Sequence, residues 1–140
     1  MRVYTHAACL RHDPGPGHAE RPARLAAVTD ELHAKLPGLN WREAPEATRE
    51  QLARVHAPAL IAQVLDSEIG DALRLDPDTV MCTDSPQAAL RAAGAAVAAV
   101  DAVLGGDVDM AFCAVRPPGH HATPGEAVAD FSQVSARARR

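Results

Sequence analysis

Two adjacent histidines, His120 and His121, follow directly on Arg116-Pro117-Pro118-Gly119, just past an apolar run from Met110 to Val115. Neutral imidazoles accept and return a proton near neutral pH, so such a pair is the material of general acid–base catalysis. His-His pairs also occur on plain surface loops. The flanking residues favour the catalytic reading. Pro117 and Pro118 fix two φ angles, Pro117 disfavours helical backbone at Arg116, and Gly119 can take whatever angle a sharp turn requires. The turn therefore holds the rings at low entropic cost. Neighbouring side chains diverge, so His120 and His121 are expected to act beside a metal rather than as two ligands of one zinc ion.

The elements that must position this turn lie immediately upstream. Asp84-Ser85-Pro86 offers a capping side chain followed by proline in the first helical turn, and Gly105-Gly106 offers a stop. The Ala-rich segment between them is apolar nearly all round, as in a helix buried on more than one side against a sheet. Asp109 to Val115 shows no alternation and reads as a buried parallel strand. Helix followed by buried strand indicates an α/β protein, whose sites lie beyond the carboxyl ends of its strands, where His120 and His121 fall.

Arg2 to Thr5 reads as an opening strand. Residues 6–21, with His6, His12, His18 and Pro14-Gly15-Pro16-Gly17, read as a loop, either on the polar surface or at a pocket rim. Pro22 opens a helix whose Leu25, Val28, Leu32 and Leu36 form one stripe before Pro37-Gly38 ends it. Arg24, in its first turn, is either a solvated charge or a functional one. Leu39 to Ala44 is a candidate strand. Thr48 and Gln51 have the spacing of a capping box, and Pro58 starts a helix with Leu60, Ile61, Val64 and Leu65 on its stripe. His56, between the two, is expected to be a satisfied packing residue. Residues 66–84 read as a long loop in which Asp76 and Asp78 lack the further oxygen ligands a metal would need.

Composition sets the outer bounds. A chain of 140 residues with 47% hydrophobic content supports one domain with a core. A formal charge of -4 and 3% aromatic residues supply neither a basic field nor stacking surfaces for nucleic acid. Cys9, Cys82 and Cys113 form no CxxC pair or disulfide framework, which fits a reducing cytoplasm. The apolar stretch from Ala88 to Leu104 is interrupted by Arg91, Gly94 and Asp101, so no membrane association is expected. A mononucleotide site is disfavoured, because Gly105-Gly106 follows a helix instead of opening one.

Three ordered motifs resemble the zinc-dependent histone deacetylase superfamily, which includes bacterial acetylpolyamine amidohydrolases and acetoin-utilisation proteins. Arg116 to Ala122 is similar to its His-His signature in the class II-like form, and Gly17 to Leu25 to its GHxERPxRL segment. Asp78-Thr79 with Ser85 to Gly94 is similar to its DT…S…AAG stretch. The resemblance implies a three-layer, parallel-sheet arginase/deacetylase-like α/β fold over residues 1–126, present in part. It implies hydrolysis of acetyl-lysine or acetylpolyamine amides with zinc as cofactor, His121 as general base, His120 as stabiliser of the charged transition state, and Arg24 in the inner substrate or product channel. After Glu126 the sequence departs from the pattern. The zinc-binding Asp-x-His, the later Asp, the aspartates that orient the histidines and the tyrosine that polarises the carbonyl have no counterpart. Residues 127–140 are therefore expected to be a divergent, disordered tail of the kind that out-of-frame reading of GC-rich codons gives. The metal ligands are expected to be missing and the chain to be inactive alone, a non-catalytic remnant or interaction module being the alternative. A parallel sheet ending at this strand is also expected to self-associate through its exposed edge.

Overall fold

In a computed structural model of the chain, residues 1–127 are described. Three strands, β1 (Arg2–Thr5), β2 (Asn40–Glu43) and β5 (Ala111–Cys113), form a parallel sheet in the order β2-β1-β5. Val3 lies opposite Trp41 on one side and Phe112 on the other. Alternation along β1 divides the core. Val3 packs with Cys9, Leu25 and Ala114 on one face, where α2 (Pro22–Lys35) lies, and Tyr4 packs with Ala44 and Ala95 on the other, where α5 (Ser85–Leu104) lies. Helix, sheet, helix is the expected three-layer arrangement.

The remaining elements are α1 (Ala8–Arg11), α3 (Arg49–Ala53), α4 (Pro58–Leu65) and an antiparallel hairpin of β3 (Leu73–Asp76) and β4 (Thr79–Met81). The capping box forms as the spacing predicts: Thr48 Oγ1 accepts from the Gln51 N–H at 3.1 Å and Gln51 Oε1 accepts from the Thr48 N–H at 2.8 Å. Pro58 occupies the first turn of α4, and Leu60, Ile61 and Val64 are buried. α5 has the length and hydropathy of a membrane span, but it packs against α1, β1 and β5. Its small residues permit this. A Cβ on Gly94 would stand 2.0 Å from the Pro45 carbonyl oxygen, so glycine is required where residues 45–47 cross the helix.

Several expectations are corrected. The 6–21 loop contains α1, and His12 is 1% exposed instead of lying on the polar surface. The 66–84 loop contains the β3–β4 hairpin. Asp76 is a turn residue there, its Oδ1 accepting from the Asp78 N–H at 2.7 Å and its Oδ2 from Thr79 Oγ1 at 2.8 Å. Asp84 does not cap α5 with its side chain; Oδ1 accepts from Arg11 Nε at 2.8 Å, while Ser85 Oγ accepts from the Cys82 N–H at 2.8 Å. His56 is buried as expected, yet neither ring nitrogen has a hydrogen-bond partner, because Leu52, Leu60 and Ile61 line its surroundings.

Burial of the helical stripe and of β5 is also less complete than the pattern predicts. Of the α2 stripe only Leu25 is buried, and Phe112 on β5 is 42% exposed. Phe112 shares the Val3 face of the sheet, but among the described residues β5 is an outer strand and nothing covers that corner. Ala127, assigned to the tail by sequence, is buried with Leu60, Met81 and Ala89. The expectation for residues 128–140 lies outside the described residues.

Candidate active site

The Ala114 N–H donates to the Tyr4 carbonyl at 2.8 Å, the last ladder bond between β1 and the segment leaving β5. Beyond it the chain turns through Pro117 and Pro118 to Gly119, whose φ of 67° lies in the left-handed region that glycine adopts freely. His120 and His121 follow in the turn, both exposed, and the Ala122 N–H closes back onto the Gly119 carbonyl at 3.2 Å. The dyad thus stands past the carboxyl end of a parallel strand, where sites of α/β sheets form.

The two rings do not diverge. Their centroids are 4.1 Å apart with the planes inclined by 52°. Side chains alternate only along extended backbone, and His120 and His121 sit in a turn that brings both rings to one side. Even so, among the described residues no three His, Cys, Asp or Glu side chains come together as a metal-binding set. The described residues therefore do not fit the zinc ion that the sequence resemblance implies.

Arg24 lies on α2 across a groove of about 270 Å³ whose wall also includes Glu20, Val28, Phe112, Cys113 and His120. Its side chain is 61% exposed and its Nη1 is 3.6 Å from Glu20 Oε1. The structure thus brings Arg24 and His120 to one groove.

Beneath the turn is a buried polar cluster that sequence reasoning missed. Arg116, 2% exposed, donates through Nε and Nη2 to the two oxygens of Glu20, the Nε–Oε1 distance being 2.9 Å. Its Nη1 donates to the carbonyls of Cys9 and His12, each at 2.7 Å. All three nitrogens of the guanidinium are engaged, as a planar fork permits. His12 Nε2 stands 3.8 Å from Glu20 Oε2, and its Nδ1 lies 2.7 Å from Ser85 Oγ. Burial, reinforced by the Arg116 cation, holds the His12 imidazole down at a pKa of about 4, so the ring is neutral at pH 7. Burial also raises the Cys9 and Cys113 thiols above their usual range, which keeps them protonated.

His18 joins the same segment to the hairpin. Its Nδ1 accepts from the Glu20 N–H at 3.1 Å, leaving Nε2–H to donate to the Asp78 carbonyl at 3.1 Å. The GHxERP segment therefore bridges the hairpin through His18 and the His-His turn through Glu20. Only the type of residue, one of two acids in a Gly/Pro-rich loop and an arginine heading the Pro-Pro-Gly turn, signalled the Glu20–Arg116 pair.

Comparison with known proteins shows the family and the fold. The histone deacetylase domain family matches residues 18–130. A histone deacetylase-like amidohydrolase of Pseudomonas aeruginosa is 36% identical over 140 aligned residues, covering 86% of this chain and 37% of that protein. The human polyamine deacetylase HDAC10 is 37% identical over 118 residues, covering 73% of this chain and 16% of its own length. The crystal structure of the HDA15 HD domain superposes with a TM-score of 0.86 at 28% identity, covering 93% of this chain and 39% of that one. The chain thus spans well under half the length of these relatives. With the family's domain matched over residues 18–130 and a three-layer parallel sheet that superposes on a solved member, the chain belongs to the histone deacetylase family.

Proposed function

We propose that His120 and His121 are the acid–base pair of a centre that hydrolyses acetyl amides, on an acetylated lysine or an acetylated polyamine. The observation that carries this reading is the pairing of two exposed imidazoles, ring centroids 4.1 Å apart, past the carboxyl end of β5. His121 takes the proton of the attacking water and returns it to the departing amine; His120 donates a hydrogen bond to the oxygen that gains charge. Arg24, across the groove from His120, is suited to hold a carboxylate product such as acetate.

The chain alone is proposed to be inactive, because the described residues supply the proton-transferring groups without a metal-holding set. One feature favours a second, non-catalytic reading as an interaction module: Phe112, 42% exposed, lines the groove with Val28 of α2, and Met110, just before β5, is 60% exposed.

The test is deacetylation of an acetyl-lysine peptide and of an N-acetylated diamine by the purified chain with added zinc, beside His121→Ala. No turnover by folded protein is expected. Turnover abolished by the substitution would support the dyad and contradict inactivity. Turnover insensitive to it would refute the assignment of the dyad.

A further inference from the structure

We propose that Glu20 is the positioning residue of the His120–His121 turn, acting through Arg116 as a buried anchor that sets where the two imidazoles stand. The proposal rests on the reading of those rings as an acid–base pair. It follows from where the loop is held. On the C-terminal side of the dyad, the Pro124 carbonyl accepts from the Ala57 N–H at 2.7 Å, and the Glu126 N–H donates to Thr123 Oγ1 at 3.0 Å. On the N-terminal side, pairing with β1 stops at Ala114, and Pro117 and Pro118 have no N–H to offer. The Arg116 side chain takes over there, with its four hydrogen bonds to Glu20, Cys9 and His12.

Of these partners Glu20 alone supplies a charge and both lone-pair directions of a carboxylate, and its backbone is held by contacts other than Arg116. Its own N–H is held by His18, and α2 begins two residues later at Pro22. Arg24 Nη1 approaches the same carboxylate at 3.6 Å, so the charge that anchors the turn also faces the groove beside His120. A rigid carboxylate holding a planar fork is the arrangement that fixes orientation as well as distance. The Pro-Pro-Gly turn shapes the loop, and the Glu20–Arg116 pair aims it.

The test uses the 15N-labelled full chain and two substitutions. Glu20→Gln keeps the shape but turns one of the two acceptors into a donor; Glu20→Asp keeps the charge one methylene shorter. The readouts are hydrogen exchange at the Ala122 N–H, the ring signals of His120 and His121 across pH, and protection of the α5 amides as the measure of global folding. The expected result for Glu20→Gln is exchange at Ala122 at least ten-fold faster while α5 protection is retained, with the two ring signals shifted toward those of solvent-averaged histidine. Glu20→Asp is expected to recover part of both. Unchanged exchange at Ala122, or an increase that matches a uniform loss across α5, would overturn the proposal, since a merely structural pair moves all amides together.

Should Glu20→Gln fail to fold, the wild-type chain decides. The Arg116 Nε–H is expected to exchange at least a hundred-fold more slowly than that of exposed Arg24, with the Gly119 to Ala122 amides as ordered as those of α5. A mobile turn beside a protected Arg116 would overturn the proposal. None of these readouts involves turnover, so failure of the deacetylase reading and failure of the anchor are separately visible.

Discussion

His12 makes the stability of this chain depend on pH in a direction that can be worked from the structure. Its ring is 1% exposed, with Nδ1 against Ser85 Oγ and the Arg116 cation nearby, and its pKa is held at about 4. In the unfolded chain a histidine takes its proton near pH 6.5. Between these two values the unfolded state binds a proton that the folded state refuses, so unfolding becomes easier as pH falls. The full contribution of the neutral ring is present above about pH 6.5 and is lost progressively down to about pH 4. A gap of about 2.5 units corresponds to about 3 kcal/mol, at no more than about 1.4 kcal/mol per pH unit. Urea unfolding of wild type and His12→Asn at half-unit steps from pH 4 to 8 measures it. Asparagine can keep a polar atom near Ser85 Oγ and does not titrate, and subtracting the two curves removes every other titrating group. The difference curve should rise by about 3 kcal/mol from pH 4 to 6.5 and be flat above. A flat difference throughout would refute the reasoning, since it would mean that His12 protonates equally easily in both states.

Other expectations follow from single contacts. Arg116→Met alone should cost about 3 to 5 kcal/mol, because it leaves the Glu20 carboxylate buried without its cation, and the double variant Arg116→Met/Glu20→Leu should recover much of that loss in urea unfolding. Gly94→Ala should lower stability by at least about 1 to 3 kcal/mol through the Pro45 carbonyl, while Gly70→Ala, with nothing within 4 Å of the added carbon, should stay within about 0.5 kcal/mol. The exposed edge at Phe112 should make the chain self-associate, and Phe112→Lys should shift sedimentation toward monomer; a wild-type monomer at the same concentration would contradict this.

What was legible in the sequence was local. Proline at helix starts, the Thr48–Gln51 box and the Gly105-Gly106 stop place α2, α3, α4 and α5 closely, because caps and breakers act within a few residues. The segment Ala8–Arg11 is too short to show a period, and the Leu73/Leu75 alternation spans too few residues to declare a hairpin. The dyad was legible as a motif. Its support was not, since Glu20 and Arg116 are 96 residues apart and His12 and Ser85 are 73 apart. The closeness of the two rings was hidden too, because it depends on a turn at Gly119 rather than on residue type. The α2 stripe is correct in spacing, but periodicity states which face is apolar and not what covers it, so Val28 and Leu36 stand exposed.

The roles of His120 and His121 are tested most directly by calorimetric titration of the metal-free chain with zinc, repeated with His120→Ala and His121→Ala. A proton-transferring pair without a metal-holding set predicts no stoichiometric binding at micromolar zinc and no difference among the three proteins. One equivalent bound by wild type and lost in either variant would contradict it, showing that the two histidines are ligands and not the acid and base beside the metal.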